Sequence, residues 1–248
     1  MNNKPTYQPS VSIIDYKRLS IRYESVIDEQ LWQHIRKVSH YLIDYYDQQD
    51  QQAEVFHTYA EITVQFLDHP STIREEADRL KEILASVHLS DNVSAGKENT
   101  KVKIPVCYEQ PFAKDLAEVA QINQLSEQQV IEIHHTPVYQ VYFIGFLPGF
   151  PYLGGLDKQI CAPRKEKARS RIQKGDVGIA GCQTGIYPVD SPGGWQIIGN
   201  SPIDLLQLSD EVEPLLKSGD RLSLYPISKE EHQAIKNQDK EIDLRTEI

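Results

Sequence analysis

The chain has 248 residues, of which 40% are hydrophobic and 25% charged, and a formal net charge of −10. That length suits two domains or one large one, and the composition is ordinary for a globular protein in water. The acidic balance argues against non-specific nucleic-acid binding, and no run of about 18 apolar residues predicts a membrane span.

No glycine occurs before Gly96, which marks two parts of different architecture. In the first part Leu19, Ile21 and Tyr23 alternate with polar neighbours, which predicts a half-buried strand. Asp28 is placed to cap a helix carrying Leu31, Ile35, Val38, Leu42 and Tyr45 on one face. Ile62, Val64 and Phe66 alternate again. Pro70 then opens a second helix, with Ile73, Ala77, Leu80 and Leu84 on its face. Helices interleaved with strands over residues 1–95 indicate a small α+β domain of ferredoxin-like type. Residues 88–100, HLSDNVSAGKENT, are polar and read as a linker.

The second domain, 101–228, opens with the strand of Val102, Ile104 and Val106. A helix near 115–122 presents Leu116, Val119 and Ala120. Ser126 and Gln129 form a capping box for a short helix through Val130 and Ile133. VYQVYFIGF, 138–146, is rich in strand formers. It leads into residues 145–202, which hold eleven of the chain's 13 glycines. Glycine permits positive φ and close backbone approach, while proline fixes φ, so this stretch predicts short strands joined by rigid turns. Residues 205–208 and 222–225 read as closing strands, giving a mainly-β barrel. Residues 229–248 are charged and read as a helix fraying into a tail.

Several chemistries find no motif. No P-loop and no G-x-S-x-G elbow occurs. The sole methionine is Met1, which removes a biotin-carrier Met-Lys-Met. The N-terminal MNNKPTYQPS lacks the apolar core of a signal peptide. Cys107, Cys161 and Cys182 are odd in number and form no C-x-x-C pair; they read as free thiols of a cytoplasmic protein, with no disulfide framework.

The positive signals lie in the second part. RKEKARSRIQK, 164–174, is a basic run in an acidic chain: a solvated loop, or an anion site built on the arginine fork. His134 can move protons near neutral pH, or serve as a packed helix-end residue. GCQTG, 181–185, is a hairpin turn or a rigid recognition loop. No feature lowers the pKa of Cys182, which argues against a nucleophile. Trp195 reads as a core residue.

The segments IEIHHTPVYQVYFIGFLPGFPYLGGL, APR and GDVGIAGCQTGIYPVDSPGGWQIIGNSP resemble the allophanate hydrolase subunit 1 family over about residues 103–208. That family includes the B component of bacterial 5-oxoprolinase and the Kip-type inhibitor of a sporulation histidine kinase. Two stretches depart from its pattern. Ala168-Arg169 stands where the family has a second Pro-Arg, and the residues from Ile172 to Asp176 replace its Val-Pro-Ala-Gly-Ser. Arg164 and Arg169 keep their places.

The resemblance implies a cyclophilin-like β-barrel for the second domain and membership of a cytoplasmic heteromeric complex. It points first to a protein that works with 5-oxoprolinase subunits C and A and is inactive alone. Such a complex opens the lactam of 5-oxo-L-proline to L-glutamate, with ATP and Mg as cosubstrate and no tightly bound cofactor or metal site here. On that reading His134, Arg164 and Gln183 are catalytic, and Thr184, Tyr187, Ser191 and Arg169 bind substrate. A Kip-type inhibitor docking on a histidine kinase, or a subunit related to urea carboxylase and allophanate hydrolase, are the alternatives.

Overall fold

The computed structural model describes residues 7–24, 26, 28–68, 72–86, 101–208, 212–238 and 243–246. Pro70 and the linker at 88–100 lie outside them. The chain divides into two compact units, Met1–Glu98 and Asn99–Ile248. No helix among the described residues is long and apolar enough to cross a membrane.

The first unit contains β1 (Ser10–Ile13), β2 (Arg18–Arg22), α1 (Glu29–Gln48), β3 (Ala53–His57), β4 (Glu61–Phe66) and α2 (Ile73–Ser86). The Asp28 carboxylate accepts the Leu31 N–H at 2.8 Å and starts α1. Strand alternation puts Leu19 and Ile21 opposite Val64 and Ile62. These four pack under the apolar faces of both helices. The antiparallel order is β1-β2-β4-β3. A split unit, β2-α1-β3 with β4 inserted, is therefore present. A ferredoxin-like order would place a strand following α2 beside β2; here β1 holds that edge.

The second unit opens with β5 (Lys101–Cys107), α3 (Leu116–Asn123), α4 (Glu127–His135), β6 (Val138–Ile144) and β7 (Pro151–Gly154). It continues through β8 (Arg169–Ile172), β9 (Asp176–Ala180), β10 (Gln183–Ile186), β11 (Ser191–Gly193) and β12 (Gln196–Asn200). It ends with β13 (Leu206–Leu208), β14 (Val212–Pro214), β15 (Arg221–Ile227), α5 (Lys229–Lys236) and β16 (Arg245–Thr246). Strands run in the order β12-β9-β10-β7-β6-β15-β5, and a β12–β5 pairing at Asn200↔Cys107 closes these seven into a barrel. Closure covers the end of β5 at Cys107 and leaves its start, at Lys101 and Val102, open to a further strand. One side chain in two points inward, so Ile104, Val141, Leu153, Ile179 and Ile186 fill the interior. Leu116 and Val119 of α3 and Val130 of α4 join the same core.

Three expectations change here. The segment at 205–208 does not close the barrel: among the described residues β13 pairs with β14 alone, in a two-stranded ribbon, because β12 and β5 already meet. The C-terminal stretch forms α5, capped by Ser228, but beyond it β16 comes back to pair with β5. The cysteines are not all free. Cys161 and Cys182, 21 apart in sequence, are joined by a disulfide, and Cys107 remains a buried thiol. Two backbone hydrogen bonds between Ala162 and Gly181, at 3.0 and 2.7 Å, set the two cysteines side by side. Sequence spacing carries no trace of that pairing.

Candidate functional site

The seven candidate residues fall on different sides of the barrel wall. Along β10, Thr184 and Ile186 point inward, while Gln183 and Tyr187 belong to the outer side. His134, at the end of α4, is fully buried and reaches Thr184 from within. His134, Arg164 and Gln183 therefore do not line one pocket, since adjacent positions of a strand face opposite ways.

The inner network is closed upon itself. The Thr184 hydroxyl donates to the Gly178 carbonyl at 3.0 Å, so it accepts from His134 Nε2–H at 2.9 Å. The remaining nitrogen, Nδ1, accepts from the Tyr108 hydroxyl at 2.7 Å. Tyr139 donates to the His134 carbonyl at 2.5 Å. Burial, helped by the neighbouring His135, pushes the His134 pKa down to about 3. A neutral imidazole with both nitrogens bonded is a pin between α4, β5 and β10.

A pH consequence follows. The folded pKa lies below the unfolded value of 6.5, so this group's stabilising effect is complete above pH 6.5. It is lost by about 1.4 kcal/mol per pH unit as pH falls from there toward the folded value. NMR of the imidazole should show no titration of His134 between pH 5 and 8. An inflection near 6.5 would mean that the ring is open to solvent.

The outer face is aromatic. Phe150, Tyr187, Trp195, Ile172, Ala180 and Ile197 form one buried cluster, with Tyr152 and Leu147 against it. Phe150 meets Tyr152, Tyr187 and Trp195 edge-on, with centroids 5.1–5.3 Å apart. Gly185 makes this possible: a Cβ there would stand 2.8 Å from Phe150 Cζ and 2.9 Å from the Pro151 carbonyl. Phe146 borders the cluster at φ 68° and is 66% exposed, with its ring edge-on to Phe150. Tyr187 packs its hydroxyl beside Gly193, which stands opposite Arg169 in the β8–β11 ribbon.

Polar groups ring this cluster. The basic run crosses it, held by the Lys165 N–H on the Gly194 carbonyl at 2.8 Å. Most of its charge is matched by acids. Lys165 and Arg169 both bind Asp115 Oδ1, at 3.0 and 2.5 Å, and Lys165 also binds Glu118. Arg171 pairs with Asp190, and Lys174 with Asp204. Arg164 and Lys167 have no carboxylate partner among the described residues. Arg164 is exposed and lies close enough to Tyr187 to counter the burial that raises that phenol's pKa. Six side-chain atoms are buried without a hydrogen-bond partner among the described residues, and three of them flank this face: Arg169 Nη1, Gln183 Nε2 and Ser191 Oγ.

Arg164, Gln183, Tyr187, Ser191 and Arg169 thus belong to or flank the outer face, and His134 and Thr184 to the scaffold beneath it. Sequence reasoning missed Asp115, which organises the basic run. It sits where a helix cap is expected, yet makes no cap bond to its own helix. Its Oδ2 accepts the Ile197 N–H at 2.7 Å, and its own N–H donates to the Ile197 carbonyl at 2.7 Å. Burial alone would raise its pKa; hydrogen bonds from Arg169, Ile197 and Lys165 outweigh that and hold the carboxyl below its usual value. A weak signal existed: Asp115 and Glu118 are acids three apart on a helix, although nothing pairs them with a loop 50 residues away.

The family described as carboxyltransferase domain, subdomain C and D, matches residues 9–216. The B subunit of 5-oxoprolinase from Bacillus subtilis (strain 168) is 45% identical over 168 residues, covering 68% of this chain and 67% of that protein. The B subunit of 5-oxoprolinase from Haemophilus influenzae is 39% identical over 155 residues, covering 62% and 70%. The crystal structure of TTHA0988 superposes with a TM-score of 0.68 at 28% identity and covers 86% of this chain. The chain spans only 40% of that solved protein.

Proposed function

The chain belongs to the carboxyltransferase domain family, subdomain C and D, and on that footing we propose that it is the B-type subunit of an ATP-dependent 5-oxoprolinase acting in the cytoplasm. Its partners on this reading are the C and A subunits, and the reaction opens 5-oxo-L-proline to L-glutamate. The observation that carries the reading is the set of unpartnered buried groups on Arg169, Gln183 and Ser191 at the outer face. Each such group costs about 1–3 kcal/mol unless something bonds it. A small lactam acid offers a carboxylate, a ring carbonyl and a ring N–H, which match a guanidinium, an amide and a hydroxyl.

The ring is an unstrained amide, so water attacks it slowly. ATP with Mg supplies the phosphoryl group that turns the amide oxygen into a leaving group. The donors on this chain suit anionic and carbonyl oxygens; Mg prefers carboxylate and water oxygens, so we place the nucleotide on a partner protein of the complex. Arg164 then holds an anionic oxygen, Gln183 and Ser191 orient the ring, and Arg169, steadied by Asp115, holds the carboxylate. His134, neutral and enclosed, positions β10 through Thr184 rather than moving protons. The apolar surroundings strengthen each of these contacts.

The test is reconstitution. The purified chain should release no glutamate from 5-oxoproline and ATP, and should gain that activity when mixed with the C and A subunits. Turnover by the isolated chain, or an assembled complex without turnover, would reject the reading.

A further inference from the structure

The Cys161–Cys182 disulfide plays no part in the chemistry above, yet it ties together the two segments that carry Arg164 and Gln183. We propose that it is a thiol–disulfide exchange site through which small cellular thiols and dithiols control the order of the outer face. The inference rests on the cytoplasmic placement above, because a disulfide in a reducing compartment is usually transient or redox-sensing.

Four observations carry it. Cys182 is exposed and Cys161 half-buried, so an incoming thiolate can reach the bond. Cys107 is fully buried and remote from exchange, so the pair acts without a competing thiol. The bond lies at a turn, where Gly181 has φ 59° and a Cβ added to it would meet nothing within 4 Å. Beside the disulfide, the two segments are joined by a single isolated bridge, the pair of Ala162–Gly181 backbone hydrogen bonds.

The exchange balances with a dithiol as reductant. Its thiolate attacks Cys182 Sγ, the S–S bond breaks, and the electron pair leaves on Cys161 Sγ, which takes a proton from water. The second thiolate of the reductant then displaces Cys182, so the reductant departs as a cyclic disulfide and both cysteines end as thiols. The Asp157 carbonyl, 3.9 Å from Cys161 Sγ, is placed to accept the new S–H. Pro163 and Arg164 then lose their covalent link to Gly181 and Gln183. Site residues displaced by even about 1 Å lose much of their effect.

Three forms of the full chain test this: air-oxidised, dithiothreitol-reduced, and Cys161→Ser/Cys182→Ser. Alkylation in denaturant followed by mass spectrometry should count one free thiol in the oxidised form and all three in the reduced form. Amide exchange at 161–168 and 181–185 should run about tenfold faster in the reduced and double-serine forms, with the rest of the barrel unchanged. In the reconstituted complex the KM for 5-oxoproline should rise by about tenfold and return on reoxidation. Equal exchange in the oxidised and reduced forms would overturn the proposal, as would three thiols in the air-oxidised chain. Thiol count and exchange need no partner, so they decide the proposal even if the complex proves inactive. Should the double variant misfold, chemical reduction of the unaltered chain gives the same comparison.

Discussion

Arg164→Ala should leave the melting temperature and partner binding unchanged and lower kcat/KM for 5-oxoproline by a hundredfold or more, about 3 kcal/mol of transition-state stabilisation. The expectation comes from subtraction within the basic run. Lys165, Arg169, Arg171 and Lys174 each meet a carboxylate, which leaves Arg164 and Lys167. Of these two, Arg164 is the one whose charge acts on Tyr187 of the aromatic face. Being exposed and outside the ion-pair network, it contributes little to folding. Arg164→Lys should recover only part of the loss, because an ammonium keeps the charge but not the planar fork. Full turnover by Arg164→Ala in an assembled complex would return the residue to a solvated loop. An equal loss from Lys167→Ala would show that general charge, not one placed guanidinium, is at work.

Asp115→Asn should lower stability by about 3 kcal/mol and disturb the site at once. Both carboxylate oxygens accept: Oδ1 from Lys165 and Arg169, Oδ2 from the Ile197 N–H. Whichever way the amide of asparagine turns, its NH2 faces a donor. The three donors differ in their fate. Lys165 and Arg169 keep 23% and 28% of their side chains in solvent and can rehydrate. The Ile197 N–H lies inside a fully buried strand and cannot. Differential scanning calorimetry should show a fall of about 6–12 °C for a chain of this size. The folded fraction should have a raised KM, because Arg169 loses its anchor.

The same carboxylate makes stability pH-dependent. Its folded pKa lies below 3.8, so its contribution is complete above that value and is lost as pH falls through the lower folded pKa. The variant should lack that part of the acid transition. A stable Asp115→Asn with unchanged KM would mean that the basic run stays in place without it.

How much of this was legible beforehand can be seen residue by residue. Period-2 runs such as Val102-Ile104-Val106 and caps such as Asp28 and Ser126 are local facts, and each stands in the structure as the sequence pattern implied. Turn positions were legible in part: Gly149, Gly155, Gly175 and Gly181 of the glycine-rich stretch take positive φ, whereas Gly185 and Gly193 lie in strands, where it is close packing that leaves no room for a Cβ. Membership of the family was legible from the long motif spacings, for the same reason: closely packed turns tolerate few substitutions.

Everything that depends on which distant segments meet was decided by the tertiary structure alone. Barrel closure through Asn200 and Cys107 took the closing role from residues 205–208. The pairing of Ala162 with Gly181 turned two unremarkable cysteines into a disulfide. Strand alternation at β10 separated Gln183 from Thr184, and with it the outer face from the His134 network. Asp115 became the anchor of a loop 50 and 54 residues away. A residue's type and its neighbours in sequence set local geometry, but hydrogen bonding and charge pairing act through space. Their partners are chosen only when the strands take their order around the barrel.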